Sequence, residues 1–239
     1  MAILNQTEPA SLPAGLIVYA IGDIHGRSDL LDRLHDLIVS DAGRRSGERR
    51  LVYLGDYIDR GEDSAGVVER LSGGTLPGFT AVHLCGNHED FLLRFLVEED
   101  VAPHWLMNGG DATLTSYGVA AEGDWARVQR SLRRALPARH LTFLENLALS
   151  HQAGGYLFVH AGIRPGLPLD RQRREDLLWI RGEFLQAAGS HGRVVVRGHS
   201  ISGQVEFRTN RIGIDTGAYM SGRLTCLVLE GADRRLLAT

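Results

Sequence analysis

The chain has 239 residues, with 26 basic and 29 acidic side chains and a formal charge of −3. That near-neutral balance argues against a general electrostatic footprint for nucleic acid or an acidic membrane surface, so neither is expected as a partner. No apolar run approaches the roughly 18–20 residues of a membrane-spanning helix. The first residues lack the basic stretch and long apolar core of a signal peptide. The two cysteines, Cys85 and Cys226, form no C-x-x-C pair, which points to a reduced, cytoplasmic protein without a disulfide framework. Glycine accounts for 29 of the 239 residues, above the usual share of about 7%.

Residues 1–15 are polar and read as a lead-in. A repeated unit follows: an apolar strand, a glycine-flanked acidic turn and a helix. Leu16–Ile21 is the first strand and ends in Gly22-Asp-Ile-His-Gly26; Leu30, Leu31, Leu34, Leu37 and Ile38 then fall at helical spacing. The second strand, Leu51–Leu54, runs into Gly55-Asp-Tyr-Ile-Asp-Arg-Gly61 and a helix near 63–72. The third, Thr80–Cys85, runs into Gly86-Asn-His-Glu89 and a helix carrying Phe91, Leu92, Phe95 and Leu96. Strands alternating with helices predict βαβ units and a largely parallel sheet. Ligands of such sheets bind beyond the carboxyl ends of the strands, where all three turns lie.

The stretch 100–147 reads as a helical insertion covering one side of the site, with helices over Trp105–Tyr117 and Trp125–Leu136. Short strands return afterwards. Ala148–Gln152 and Tyr156–His160 flank a Gly-Gly turn and predict a hairpin. Arg193–Arg197, Val205–Arg208, Arg211–Ile214 and Thr225–Leu229 suggest a second, mostly antiparallel sheet. No linker divides the chain, so 16–239 is expected to form a single domain.

Asp23, His25, Asp56, Asn87, His160 and His199 each follow a predicted strand and adjoin glycines, which permit the tight turns that bring separate strands' side chains together. Imidazole, carboxylate and amide donors without thiolate suit manganese, iron or zinc. Six such donors are too many for one tetrahedral ion and suit a pair sharing a carboxylate. Taken singly, Asp23 or Asp56 reads equally well as a helix cap, and a lone strand-end histidine as a buried structural one. His35, His83, His104, His140, His151 and His191, the arginines at 44, 45, 49 and 50, and Trp105, Trp125 and Trp179 read as surface or packing residues. Asn108 and Asp215 read as turn residues.

Together, Gly22-Asp-Ile-His-Gly26, Gly55-Asp-Tyr-Ile-Asp-Arg-Gly61 and Gly86-Asn-His-Glu89, separated by 28 and 24 residues, resemble the signature of the phosphoprotein phosphatase family. His160-Ala-Gly-Ile and Arg197-Gly-His199 resemble its later histidine segments. Trp105–Gly110, Leu177-Leu-Trp-Ile-Arg181 and Ile214-Asp-Thr-Gly-Ala218 are similar to its bacterial and phage branch. Gly198-His-Ser-Ile201 lacks the second histidine of the wider superfamily's G-H-x-H, which argues against phosphodiesterase and nuclease branches.

The resemblance implies a calcineurin-like metallophosphoesterase fold of two packed sheets flanked by helices, an α/β/β/α sandwich. It implies two divalent ions, manganese first, with iron or zinc also compatible. Asp23, His25 and Asp56 would hold one ion; Asp56, Asn87, His160 and His199 would hold the other. A hydroxide bridging the ions would attack phosphorus. His88 would protonate the leaving group while Asp59 orients it and keeps it charged, and Arg60 and Arg181 would grip phosphate oxygens. The activity implied is a serine/threonine protein phosphatase acting on phosphoproteins or phosphopeptides. The alternative is a symmetrical dinucleoside tetraphosphate hydrolase; an inactive phosphate-binding scaffold is the remaining class.

Overall fold

A computed structural model describes residues 10–239. The expected lead-in at 1–9 lies outside the described residues. In chain order, the first half carries β1 (Leu16–Ile21), α1 (Ser28–Ala42), β2 (Glu48–Tyr53), α2 (Ser64–Ser72), β3 (Thr80–His83) and α3 (Asn87–Phe95). The middle carries α4 (Ala102–Met107), α5 (Gly110–Ser116), α6 (Trp125–Ala135) and α7 (Ala138–Glu145). The last part carries β4 (Ser150–Ala153), β5 (Tyr156–Val159), α8 (Arg174–Trp179), α9 (Gly182–Gln186), β6 (Val194–Arg197), β7 (Glu206–Phe207), β8 (Arg211–Gly213), α10 (Ala218–Ser221), β9 (Thr225–Glu230) and β10 (Asp233–Ala238).

Two five-stranded sheets result, in the orders β10-β9-β1-β2-β3 and β4-β5-β6-β8-β7. β1 is apolar throughout because both of its faces are buried, as in a covered parallel sheet. Val18 and Ala20 point inward with Tyr156, Phe158, Val196 and Ile212 of the second sheet. Ile17, Tyr19 and Ile21 point outward into a helical layer. Behind the second sheet, Leu157 and Val159 pack on Leu177, Ile180 and Phe184. The layers are therefore helix, sheet, sheet, helix, as the resemblance implied.

Four expectations change. Thr225–Leu229 extends to β9 and joins the first sheet, antiparallel to β1. β10 beside it was not expected, because its Asp233-Arg-Arg235 start has the charge of an exposed edge strand. The second sheet is mixed, since β6 runs parallel to both β5 and β8; the connection carrying α8 and α9 returns the chain to the end where β5 began. The helix expected over Trp105–Tyr117 breaks at Asn108–Gly109, where Gly109 has φ 94°.

The stretch 100–147 also contributes to the apolar core. Trp105, Leu114, Val128, Leu132 and Leu144 share one apolar cluster with Tyr19, Leu31 and Phe95, so these helices belong to the outer layer of the first sheet. Leu132 is fully buried there. Leu132→Ala should cost about 2–5 kcal/mol of global stability in a single urea transition. A separate early transition confined to this stretch would show it to be an independent flap.

Candidate functional site

Every turn that carries a proposed donor leaves the carboxyl end of a parallel strand. Asp23 and His25 follow β1, Asp56 follows β2, Asn87 opens α3 after β3, His160 follows β5 and His199 follows β6. All six are buried. Backbone bonds tie the turns together: Ile24 N and His25 N both donate to Asp56 O, at 3.0 and 2.8 Å. Gly198 packs so closely on the Asp23 carboxylate that a Cβ at that position would collide with it.

Asp56 lies at the centre. Its Oδ2 is 3.5 Å from His25 Nε2, and its Oδ1 is 3.4 Å from His160 Nε2. Two potential ligand groups meet on it, His25–Asp56–His88 and Asp56–His160–His199. Asn87 Oδ1 lies 2.9 Å from His160 Nε2 and 2.8 Å from His199 Nδ1. Asp23 is outside both tight groups. Its Oδ2 accepts from His199 N at 2.8 Å, while Oδ1 is buried without a partner among the described residues, as is His199 Nε2.

The histidine hydrogen bonds decide where the lone pairs point. His25 Nδ1 lies 2.9 Å from Ile58 O and His160 Nδ1 lies 2.8 Å from Leu54 O. A carbonyl only accepts, so both Nδ1 atoms carry the proton and both Nε2 lone pairs face the cluster. Burial lowers His25 and pushes His160 down to about 3, so both rings are neutral. His160 Nε2 thus points a lone pair at an amide oxygen and a carboxylate oxygen. That convergence is repulsive without a cation or an inverted Asn87 amide. Burial, with Asp215 and Asp56 as neighbours, raises Asp23; burial and Glu89 raise Asp56. The N and O donors fit divalent ions of the manganese, iron or zinc kind.

His88 donor chemistry differs. Its Nδ1 is 2.6 Å from Asp59 Oδ2, and its Nε2 faces Asp56 Oδ2 at 3.8 Å. Burial, then Arg60 and Arg181, push His88 down to about 3, while burial pushes Asp59 up to about 7. Burial therefore opposes the fixed imidazolium expected from the sequence. The 2.6 Å contact holds a proton between Nδ1 and Oδ2. While that proton is present, Nε2 keeps its own N–H facing the cluster.

Asp59 is held by residues that the sequence did not single out for this task. Trp105 Nε1 donates to Oδ2 at 2.9 Å and Thr113 Oγ1 donates to Oδ1 at 2.6 Å. Arg60 is half-buried, with Nη1 3.1 Å from His25 Nε2. Arg181 is exposed, and its charge reaches His88, His160 and His199. Arg174 is occupied by Asp90, 2.8 Å away. Asp215 makes the expected turn, accepting from Gly217 N at 2.9 Å, but it is also buried beside Asp23 and raises it.

A family model described as calcineurin-like phosphoesterase matches residues 16–219. The chain belongs to that family. It is therefore a metal-binding phosphoesterase. It is 29% identical over 220 residues to "Serine/threonine-protein phosphatase 2" of Escherichia coli, covering 87% of this chain and 90% of that protein. It is 24% identical over 232 residues to "Bis(5'-nucleosyl)-tetraphosphatase PrpE [asymmetrical]" of Anoxybacillus flavithermus, covering 89% and 90%. Among solved structures, a putative diadenosine tetraphosphatase shares the fold with TM-score 0.65 and 24% identity, covering 95% of this chain and 98% of that one. A cold-active protein tyrosine phosphatase shares it with TM-score 0.56 and 18% identity, covering 95% and 81%.

Five non-glycine residues have left-handed backbone among those described: His25, Asp56, Asp59, Arg60 and His199, with φ between 45° and 71°. All belong to this site. Such conformations persist where surrounding bonds over-determine them. For Asp56 the restraint is Glu89. Its buried carboxylate accepts from Gly86 N at 2.8 Å, Asp56 N at 2.9 Å, Tyr57 N at 2.8 Å and Ile58 N at 3.3 Å. Its place three residues after Gly86 is the helix-cap spacing that would have signalled it.

Glu89→Gln turns an NH2 group toward backbone donors. It should cost about 1–3 kcal/mol for buried N–H groups left unpaired. Manganese affinity should fall as well, because the Asp56 turn relaxes. Urea unfolding and calorimetric manganese titration read the two effects separately. Normal manganese binding in a destabilised variant would detach Glu89 from the centre.

Proposed function

We propose that the chain is a two-metal phosphomonoesterase that hydrolyses phosphoserine and phosphothreonine in proteins. The observation that carries the chemistry is the convergence of unprotonated nitrogen and oxygen donors on Asp56, with the His88–Asp59 pair alongside. The protein-phosphatase substrate rests on the 29% identity to a relative of that name.

In this reading Asp23, His25 and Asp56 hold one divalent ion, and Asp56, Asn87, His160 and His199 hold the other. A divalent pair supplies an acidified water and neutralises charge on the phosphoryl oxygens. The chain's own residues do the rest. Arg60 and Arg181 bind non-bridging phosphate oxygens through guanidinium forks. His88 donates its Nε2 proton to the departing oxygen. Asp59, fixed by Trp105 and Thr113, holds Nδ1 so that the ring cannot turn away. Asp56 neutralised to Asn would weaken both ion sites, whereas Asp23 serves one.

A second reading, dinucleoside tetraphosphate hydrolase, is favoured by the relatives of that name. Those are named asymmetrical, in contrast to the symmetrical enzyme suggested by the sequence motifs. A side-by-side assay of manganese-loaded protein on a phosphoserine peptide and diadenosine tetraphosphate separates the readings. The phosphopeptide should have the larger kcat/KM, with close to two metal ions per chain. Preference for the dinucleotide would overturn the protein-phosphatase reading, and full activity after removal of all divalent metal would overturn the mechanism.

His88→Asn should lower kcat by about 10²–10⁴-fold with near-native metal content. The loss should be greater on phosphoserine peptide, which leaves as a basic alkoxide, than on nitrophenyl phosphate, which leaves as a stabilised phenolate. Equal losses would show that His88 acts by positioning or charge and does not donate the proton.

A further inference from the structure

Tyr219 sits in α10, at the carboxyl-end rim of the first sheet's turns, and no sequence motif points to it. Its ring is half-buried. The Arg60 guanidinium carbon lies 5.0 Å from the ring centroid. The ring also meets His25 edge-on, with centroids 5.4 Å apart and planes at 80°. Its hydroxyl makes no hydrogen bond to the described residues, so the contact with Arg60 belongs to the ring face.

Arg60 is fixed on its backbone side as well. Its N–H donates to Gly109 O at 3.0 Å. Gly109 comes so near that an added Cβ would meet Arg60 Cγ at 2.8 Å. The side chain therefore rises between the Gly109 turn and the Tyr219 ring. Among the described residues its tip makes one hydrogen bond, with His25 Nε2 at 3.1 Å. That lone pair is also one of the donors assigned above to a divalent ion. With that lone pair given to a cation, the hydrogen bond would be lost and the guanidinium would be repelled. The negative face of an aromatic ring attracts a guanidinium, and does not depend on the His25 lone pair.

We propose that Tyr219 is a positioning residue that holds Arg60 at the rim of the loaded site, ready for a phosphate oxygen. The inference rests on the reading of Arg60 as a phosphate ligand. The side chain acts through Arg60 and touches no reacting atom.

Inorganic phosphate is titrated calorimetrically into manganese-loaded wild type, Tyr219→Phe, Tyr219→Leu, Arg60→Ala and the Tyr219→Leu/Arg60→Ala double variant. Tyr219→Leu should weaken phosphate binding about three- to tenfold, the scale of a cation–π contact, with metal content unchanged. Tyr219→Phe should keep the affinity, since it keeps the ring. Tyr219→Leu should add nothing once Arg60 is gone. KM for nitrophenyl phosphate should rise in the Leu variant by more than kcat falls. If the Leu variant does not fold, Tyr219→Met repeats the measurement with a flexible side chain lacking a ring. Wild-type phosphate affinity in the Leu or Met variant would overturn the proposal. So would an equal loss with and without Arg60, which would place Tyr219 on the ligand itself. Unchanged affinity in Arg60→Ala would instead sink the assignment of Arg60, and the positioning role with it.

Discussion

Four backbone N–H groups converge on the Glu89 carboxylate, and three of them belong to consecutive residues of the Asp56 turn. Burial pushes this carboxyl up to about 7, against the pull of those donors. The contact ties the turn after β2 to the start of α3, so Asp56 and Asn87 are set relative to one another before any ion arrives. The Asp56 carbonyl then accepts from Ile24 and His25, extending the same restraint to the turn after β1. Three donor segments are thus registered by one buried acid that is not itself a donor.

The remaining donors come from the other sheet. His160 and His199 reach the cluster only because the two sheets pack face to face. Val18, Ala20, Val52 and Leu54 on one side meet Tyr156, Phe158, Val196 and Ile212 on the other. The spacing of the two ligand groups on Asp56 is therefore a property of the apolar layer beneath them. A change of one methylene in that layer is felt at close packing, and here it would be felt as a change in donor separation.

Much of this was readable from residue order. The glycine-flanked turns at strand ends exposed the first sheet's parallel strands and the six buried side chains gathered at strand ends, because each lies within a few residues of the strand that places it. The positions of His88, Asp59 and Arg60 beside that cluster were legible for the same reason. The supports were not. Trp105 and Thr113 reach Asp59 across 46 and 54 residues, and such contacts leave no periodic trace. Trp105 read as packing because its ring does pack, against Phe95, while its N–H does something else. β9 carries an ordinary apolar strand pattern, and nothing in that pattern says which sheet it will join. Burial acts on His88 against the charge that Asp59 favours, and a motif does not show burial.

The left-handed residues of the centre have a consequence for how this protein changes under selection. At His25, Asp56, Asp59, Arg60 and His199, the backbone would be more comfortable with glycine or asparagine, while the side chain present is one that the proposed chemistry uses. Each position therefore sets heat resistance against turnover. Under selection for heat resistance alone, glycine or asparagine at these codons would relieve the backbone at the expense of the groups assigned above to the reaction.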